Sequence, residues 1–569
     1  MDRARVWPDF REAWIVHEDA DLLVIDKPAG VSSQAADPGR PDDIVTRLKR
    51  FLAARASDPY LGVHQRLDRD TSGLLVFARR RAANQGLAAQ FESRQVEKGY
   101  VACVSGWPRG REQATLRDSL APGPDGTMRV VSARAHGAKD AVTRVRVLAR
   151  HADRALLELD LDTGRTHQAR VQLAHARTPI AGDVLYGGPR AQRLMLHANA
   201  IALRHPLNGD RVRFGAPIPR DFESWVSGDD SEGRVYDAGG ALEGALERAI
   251  ERRWGLGRSE GHDWATTAFR LVNEEGDGLP RLAVDVYGGW LVAQLYGDDG
   301  PWAEVARKER LLDALHGLGF DGVYLKVRPK QANVIDTRRE DVAPRMPLRG
   351  MAAPDEFVVL EEGAPLLVRL GDGLSTGIFL DQRANRRRLR EMARGKTVAN
   401  LFAYTCLFTM MASLGGAKKT VSVDVSAAAL ERGRANLANA GALERGEHVF
   451  VAADVFAWLA RASRRGEVFD IVVLDPPSYS TTRRGRFVAD TDYVDLASSA
   501  LSLVAPGGRL LACTSHRGIS PARFRRILFD ACRAAKREPM QIKDFAEGSD
   551  FPVAPGGDPH MKSALVLLA

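Results

Sequence analysis

Three aspartates stand where apolar runs end in the last part of this 569-residue chain. Val421-Ser422-Val423 leads into Asp424, and Phe450-Val451-Ala452-Ala453 leads into Asp454. Ile471-Val472-Val473-Leu474 leads into Asp475-Pro476-Pro477-Ser478. In an open parallel sheet, ligands sit beyond the carboxyl ends of the strands. An acid after the second strand, Asp424, can bind both hydroxyls of a ribose, and Asp454 can accept from an adenine amino group. A fourth aspartate, Asp68, has a different setting. The turn Arg66-Leu67-Asp68-Arg69-Asp70-Thr71-Ser72-Gly73 packs two arginines, two aspartates and a Thr-Ser pair ahead of Leu74–Ala78, an apolar run of strand length. A capped loop with local salt bridges uses the same residue types, yet a surface turn rarely needs so many charges. Cys513, after Leu510-Leu511-Ala512 and before His516, could supply a thiolate nucleophile. A lone cysteine at a strand end serves packing as readily, and Cys406 is read that way.

The elements that must hold these residues follow from pattern. In the C-terminal part, strands are expected at Val398–Phe402, Val421–Asp424, Phe450–Asp454 and Ile471–Leu474. Helices are expected through Met410–Leu414 and Ala427–Ala438, and this alternation implies a doubly wound parallel sheet. The loop after the first strand, Asn400-Leu401-Phe402-Ala403-Tyr404-Thr405-Cys406, contains no glycine. Near the N-terminus, the strand Leu22–Ile25 runs into the Pro/Gly turn Asp26-Lys27-Pro28-Ala29-Gly30. Ile44–Ala54 has helical spacing, and Val96–Val104 alternates as a strand. Asp229-Asp230-Ser231-Glu232-Gly233-Arg234 reads as a linker. Beyond it, Ala241–Trp254 carries Leu242, Leu246, Ile250 and Trp254 at helical spacing. Phe269–Gly288 reads as strand, acidic turn, strand; Trp290–Leu295 is a further strand and Leu311–Leu318 a helix.

Composition bounds the rest. The length exceeds one core and implies roughly three or four domains. Hydrophobic (44%) and charged (27%) fractions are those of a soluble globular protein. No apolar run reaches spanning length, so no membrane association is expected, and the N-terminus has no apolar signal core. The four cysteines form no CxxC pair, which points to a reducing cytoplasm. Net charge is +8, and its distribution is uneven. Residues 1–232 carry +5, residues 233–345 carry −3 and residues 346–569 carry +6. A basic excess in both terminal parts suits contact with a polyanion.

The order of residues adds a resemblance. Arg66-Leu67-Asp68-x-x-Thr71-Ser72-Gly73 resembles the signature of the RluA-type pseudouridine synthases, as do the opening Asp26-Lys27-Pro28-x-Gly30, Lys98-x-Tyr100, Gly164-Arg165-Thr166-His167-Gln168-x-Arg170 and Gly182-Asp183-x-x-Tyr186-Gly187. The resemblance implies that Asp68 is the catalytic carboxylate, in a site with Arg66, Tyr100 and Arg165. Tyr100 would be the aromatic ring against the base, and Arg165 would pair with Asp68 and aim it. His167 is assigned a structural role. Gln65 departs from the family, which usually has His there, and the small N-terminal RNA-binding module of some relatives is not expected. Arg270-Leu271-x-Asn273-x-x-x-Asp277-Gly278-Leu279-Pro280 resembles the central domain of the RlmI-type ribosomal RNA methyltransferases. Thr376–Arg386 and Asn400-Leu401-Phe402-x-Tyr404-Thr405 resemble the same enzymes' methyltransferase domain, of class I.

The resemblance implies an α/β and α+β multidomain protein. A mixed, mostly antiparallel synthase domain spans 1–228 and a small α+β middle domain 229–345. A doubly wound, Rossmann-like methyltransferase spans 346–569. The expected activities are uridine isomerisation and methylation of a base, most simply in large-subunit ribosomal RNA with cytosine C5 favoured and Cys513 as nucleophile. Alternatives are methylation at a base nitrogen without a covalent step, and an RNA-binding assembly factor with one inert domain. S-adenosylmethionine is the expected cofactor, held by Asn400, Phe402, Ala403, Asp424, Asp454, Asp475 and Pro476. The synthase needs none, and no metal is expected. RNA is the expected partner; the sequence leaves the oligomeric state open.

Overall fold

The computed structural model describes residues 10–34, 43–55, 58–123, 127–189, 191, 193–228, 235–237, 240–253, 256, 265–297, 300–328, 339–482, 485–554 and 557–569. The chain divides into two compact units, Asp2–Gly255 and Leu256–Ala569. No helix among the described residues is long and apolar enough to cross a membrane.

The first unit is built on a sheet that has eleven strands among the described residues. Its main path runs Ile15–Glu18, Leu22–Lys27, Ser72–Ala78, Leu196–Arg204, Glu97–Ser105, Arg154–Leu161, Lys139–His151, Gln113–Pro122 and Met128–Val131. Neighbours are antiparallel except where His197 and Ala198 lie parallel to Ser72 and Gly73. That contact requires glycine: Gly73 has φ 116°, and a Cβ there would lie 2.3 Å from the Ala198 carbonyl oxygen. All seven residues of Ser72–Ala78 are buried because both faces are covered. Leu75 and Phe77 meet Ile44, Leu48 and Leu52 of one helix; Leu74, Val76 and Ala78 meet Ala83 and Leu87 of another. The first of those helices, Ile44–Ala54, starts where Asp43 caps it by accepting from the Thr46 N–H at 2.9 Å.

The division falls after Gly255, while the sequence reading expects a boundary at 228. Helix Ala241–Arg253 belongs to the first unit, burying Leu242, Ala245, Leu246, Ala249 and Ile250. Its Arg252 backbone passes 3.6 Å from where a Gly30 Cβ would sit. The linker 229–234 and Trp254 lie outside the described residues.

In the second unit the middle segment and the C-terminal segment share one core. Ala268, Tyr287 and Tyr324 of the middle sheet cluster with Met410, Leu430 and Leu437. The middle sheet runs Ala268–Asn273, Leu282–Tyr287, Trp290–Tyr296, Gly322–Arg328 and Arg349–Gly350. Its helix, Val305–Gly317, starts six residues before the expected Leu311. The C-terminal sheet has the order Glu447–Ala452, Lys419–Asp424, Thr397–Leu401, Phe469–Leu474, Val504–Thr514, Lys562–Leu568, Pro539–Phe545. The first five are parallel, and Lys562–Leu568 is antiparallel to both neighbours. Two buried ion pairs lock the segment before this sheet. Arg386 binds Glu361 through Nε (2.7 Å) and Nη2 (2.5 Å), and Arg383 binds Asp550 through Nη1 (2.9 Å) and Nη2 (2.5 Å).

Candidate active sites

Asp68 sits in the turn before strand Ser72–Ala78 with its side chain 31% exposed. The turn is fastened from below by Lys27. That wholly buried ammonium donates to the carbonyls of Pro28 (2.8 Å), Val31 (2.8 Å) and Arg69 (3.1 Å). Burial pushes Lys27 down to about 7, opposed by the charges of Asp70 and Asp68. Ser33 ties the residue before Asp68, accepting from the Leu67 N–H and donating to its carbonyl.

The arginine that grips Asp68 is Arg170, correcting the expectation for Arg165. Arg170 Nη1 donates to Asp68 Oδ2 at 3.1 Å. Its Nε and Nη2 hold Asp183, whose side chain is fully buried, at 2.7 and 2.9 Å. The Arg165 Nε instead donates to the Asp140 carbonyl at 3.1 Å. Helix geometry explains the difference: the helix begins at Gln168, so His167 and Arg170 share a face while Arg165 precedes it. That i, i+3 spacing was the signal available for Arg170. His167 also reaches the site, with Nε2 3.6 Å from Asp68 Oδ2 and Nδ1 2.9 Å from the Tyr186 hydroxyl. Tyr100 packs at the edge of two core clusters. Burial raises its phenol, and the charge of Asp68 adds to that, so Tyr100 stays protonated. Arg66 is exposed, with Gln65 beside it donating to the Leu74 carbonyl at 2.7 Å. The structure thus brings Asp68, Arg170, His167 and Tyr100 together; Lys27, Arg170 and Tyr186 were not among the expected site residues.

In the second unit, Asp424 ends its strand as expected. Its Oδ2 accepts from the Tyr404 N–H and its Oδ1 from the Ser426 N–H, both at 2.9 Å. These bonds orient the carboxylate and leave lone pairs for a diol. Asp454 stands two residues beyond its strand, which closes at Ala452, and caps helix Val455–Arg464 by accepting from the Ala457 N–H. Beside them lie Val425, 70% exposed, and Phe456, 37% exposed, which meets Phe402 and Phe487 edge-on or tilted. Sequence patterning had not singled out Phe456, whose exposed ring stands two residues beyond Asp454. The buried Asn400 side chain donates to Thr409 of helix Leu407–Leu414 at 2.9 Å. Ala403 and Pro476 are buried in the loop and strand tip. The loop holds Phe402, Tyr404 and Cys406 at φ 59°, 45° and 56°. Thr405 donates to the Gly377 carbonyl at 2.7 Å, and Asn436 donates to the Thr405 carbonyl at 3.2 Å.

Asp475 is pushed up to about 7 by burial, and the nearby charge of Asp381 adds to that. Buried oxygens of Asp381 (Oδ1) and Glu547 (Oε2) have no hydrogen-bond partner among the described residues, which suits a ligand carrying amino groups. Glu547 is likewise pushed up to about 7 by burial. Cys513 lies within strand Val504–Thr514 and not after it. It is wholly buried among Leu389, Val473 and Leu511. Burial holds the thiol well above its ordinary value, with Asp475 adding to the effect. Cys406 is packing, its sulfur against Gly433.

Comparison with known proteins finds two families along this chain. Residues 21–175 fit the RNA pseudouridylate synthase family, and residues 282–556 fit the S-adenosylmethionine-dependent methyltransferases. YwbD of Bacillus subtilis is 33% identical, with the match covering 50% of this chain and 70% of that one. Ribosomal RNA large subunit methyltransferase I of Aeromonas hydrophila is 33% identical, covering 54% of this chain and 75% of the relative. The chain belongs to that methyltransferase family. It joins a pseudouridine synthase to the methyltransferase, and the methyltransferase cofactor is S-adenosylmethionine. The crystal structure of SMU.776 complexed with SAH aligns at a TM-score of 0.50 and 28% identity, covering 57% of this chain and 81% of that one.

Proposed function

We propose that this protein modifies RNA at two positions, isomerising a uridine to pseudouridine and methylating a base of large-subunit ribosomal RNA. The observation that carries the first half is the grip of Arg170 on Asp68 in a half-exposed turn. In the isomerisation the C1′–N1 bond breaks, C1′–C5 forms, C5 loses a proton and N1 gains one. No redox or metal chemistry enters that balance. One carboxylate, Asp68, serves as nucleophile or base. Tyr100, held protonated, offers a ring face to the splayed uracil. RNA is the substrate class, and the base must leave its stack to be reached.

For the second half, S-adenosylmethionine supplies an electrophilic methyl group when bound. Asp424 would hold its ribose, Asp454 and Phe456 its adenine, and Asp381 its amino group. Cytosine C5 as acceptor would need Cys513 as a thiolate, and burial opposes that form. We therefore read the acceptor as a base nitrogen, which attacks with its own lone pair. Asp475, near 7, can accept from an amino group or take its proton. The intact Asp68 and Asp424 settings favour two working enzymes over an inert assembly factor. Four free, buried cysteines suit a cytoplasmic setting.

The test is position-mapped nucleoside mass spectrometry of large-subunit RNA from cells with and without the gene. Joint loss of one pseudouridine and one nitrogen-methylated base is expected. Loss of a 5-methylcytidine instead overturns the nitrogen reading, and unchanged RNA overturns both halves.

A further inference from the structure

His167 occupies a left-handed backbone position beside Asp68. It precedes helix Gln168–His175 in the left-handed region, with φ 54° and ψ 20°, and caps no backbone group with its side chain. Residues other than glycine rarely adopt that conformation, and such strain concentrates at functional sites. The geometry puts both ring nitrogens to use. Nε2 lies 3.6 Å from Asp68 Oδ2, and Nδ1 lies 2.9 Å from the Tyr186 hydroxyl.

The hydrogen bonds around the ring fix where its proton sits. The Tyr186 oxygen accepts from the Met128 N–H at 2.9 Å, and its own hydrogen is free to donate to Nδ1. On the other side, an ionised carboxylate can only accept, so the nitrogen facing it must be the donor. The carboxylate selects the neutral Nε2–H tautomer, and a Tyr186 hydroxyl that donates to Nδ1 is compatible with it. Burial and the Arg170 charge disfavour the doubly protonated ring, against the pull of Asp68. The Nε2–H therefore aims at Asp68.

Arg170 Nη1 donates to that same oxygen at 3.1 Å, with His167 Nε2 just beyond hydrogen-bond reach. Among the described residues no side chain or backbone group donates to Oδ1. We propose that His167 is a positioning residue which, with Arg170, holds Asp68 by Oδ2 and leaves Oδ1 as the oxygen that acts on the uridine. Two donors draw charge toward Oδ2 and fix the carboxylate's rotation, so Oδ1 keeps its lone pairs directed at the substrate. The 3.6 Å separation closes when the substrate packs the site, as catalytic hydrogen bonds commonly do. The inference rests on the synthase reading above.

The experiment measures single-turnover release of tritium from C5 of uridine in transcribed large-subunit RNA, with melting and RNA binding in parallel. His167→Leu removes the donor at similar bulk and should slow release about 10–100-fold, the worth of a hydrogen bond to a charged group, with RNA affinity unchanged. His167→Gln places an N–H near the former Nε2 and should restore most of the rate. Tyr186→Phe releases the tautomer and should slow release less than His167→Leu does. Full activity in His167→Leu overturns the role, as does a His167→Gln protein no better than the Leu variant. If His167→Leu melts early, Tyr186→Phe and His167→Gln carry the decision, and unchanged rates in Tyr186→Phe overturn the tautomer argument. No release by the wild-type protein overturns the synthase reading itself.

Discussion

Asp68 and Asp475 are the same functional group in opposite surroundings. Asp68 is part-exposed and touched by a guanidinium that is itself anchored on the buried Asp183. At Asp475, burial and the charge of Asp381 outweigh a Gln382 hydrogen bond and the Arg386 charge, and carry the carboxyl up to about 7. The first setting holds a carboxylate in place by a fixed guanidinium, within reach of solvent. The second favours a group that takes or gives a proton near neutrality. Two carboxyls in such different surroundings suit different roles on one chain.

Mutations can break that contrast. Asp68→Asn should lower pseudouridine formation by roughly 1,000-fold or more, with methylation and melting near wild type, measured on the same RNA. Retained isomerisation would end the carboxylate argument. Arg170→Leu strands Asp183 in the interior and should cost about 3–5 kcal/mol in denaturant unfolding, besides most synthase activity. The control is Arg165→Leu, which does not touch Asp68 and should change stability by no more than about 0.5 kcal/mol. Equal losses in both would return Arg165 to the site.

Asp475 tests the other side. Its folded-state value is raised, so the folded protein binds the extra proton and stability falls as pH rises from about 4 to about 7. At about 1.4 kcal/mol per unit, with part of the group exposed, Asp475→Asn should gain roughly 2–4 kcal/mol over wild type at pH 8 and little at pH 4. A flat difference between the two curves would remove the contrast with Asp68. The smallest effect belongs to Cys513→Ala, which should lose about 1–2 kcal/mol for its cavity and keep its methylation rate. Lost methylation in a folded Cys513→Ala protein would restore the cytosine C5 reading.

Much of this arrangement was legible from pattern. Both sites lie where apolar runs meet acids, and the strands under Asp68 and Asp424 are where periodicity placed them. What the sequence left ambiguous was rotation. Arg165 and Arg170 share one short motif, and only the start of the helix at Gln168 decides which faces Asp68. Asp454 follows an apolar run that looks like continuing strand, yet its side chain begins a helix. Cys513 belongs to the run Leu510-Leu511-Ala512-Cys513, buried on both faces, and a run without alternation gives no clue to which side faces a ligand. The boundary moved for a related reason: helix Ala241–Arg253 is amphipathic, and periodicity does not say which unit its apolar side covers.

The glycine-free loop after the first methyltransferase strand has a thermodynamic consequence. Three of its residues hold left-handed torsions at a cost on the order of 1–2 kcal/mol each. Asp424, Gly377 and Asn436 fasten the loop in that shape before any ligand arrives. The entropy of ordering it is therefore surrendered during folding and not during cofactor capture. Association should then find a rigid receptor, with fast amide exchange already suppressed at Tyr404 in the free protein and little further slowing once the nucleoside is in place.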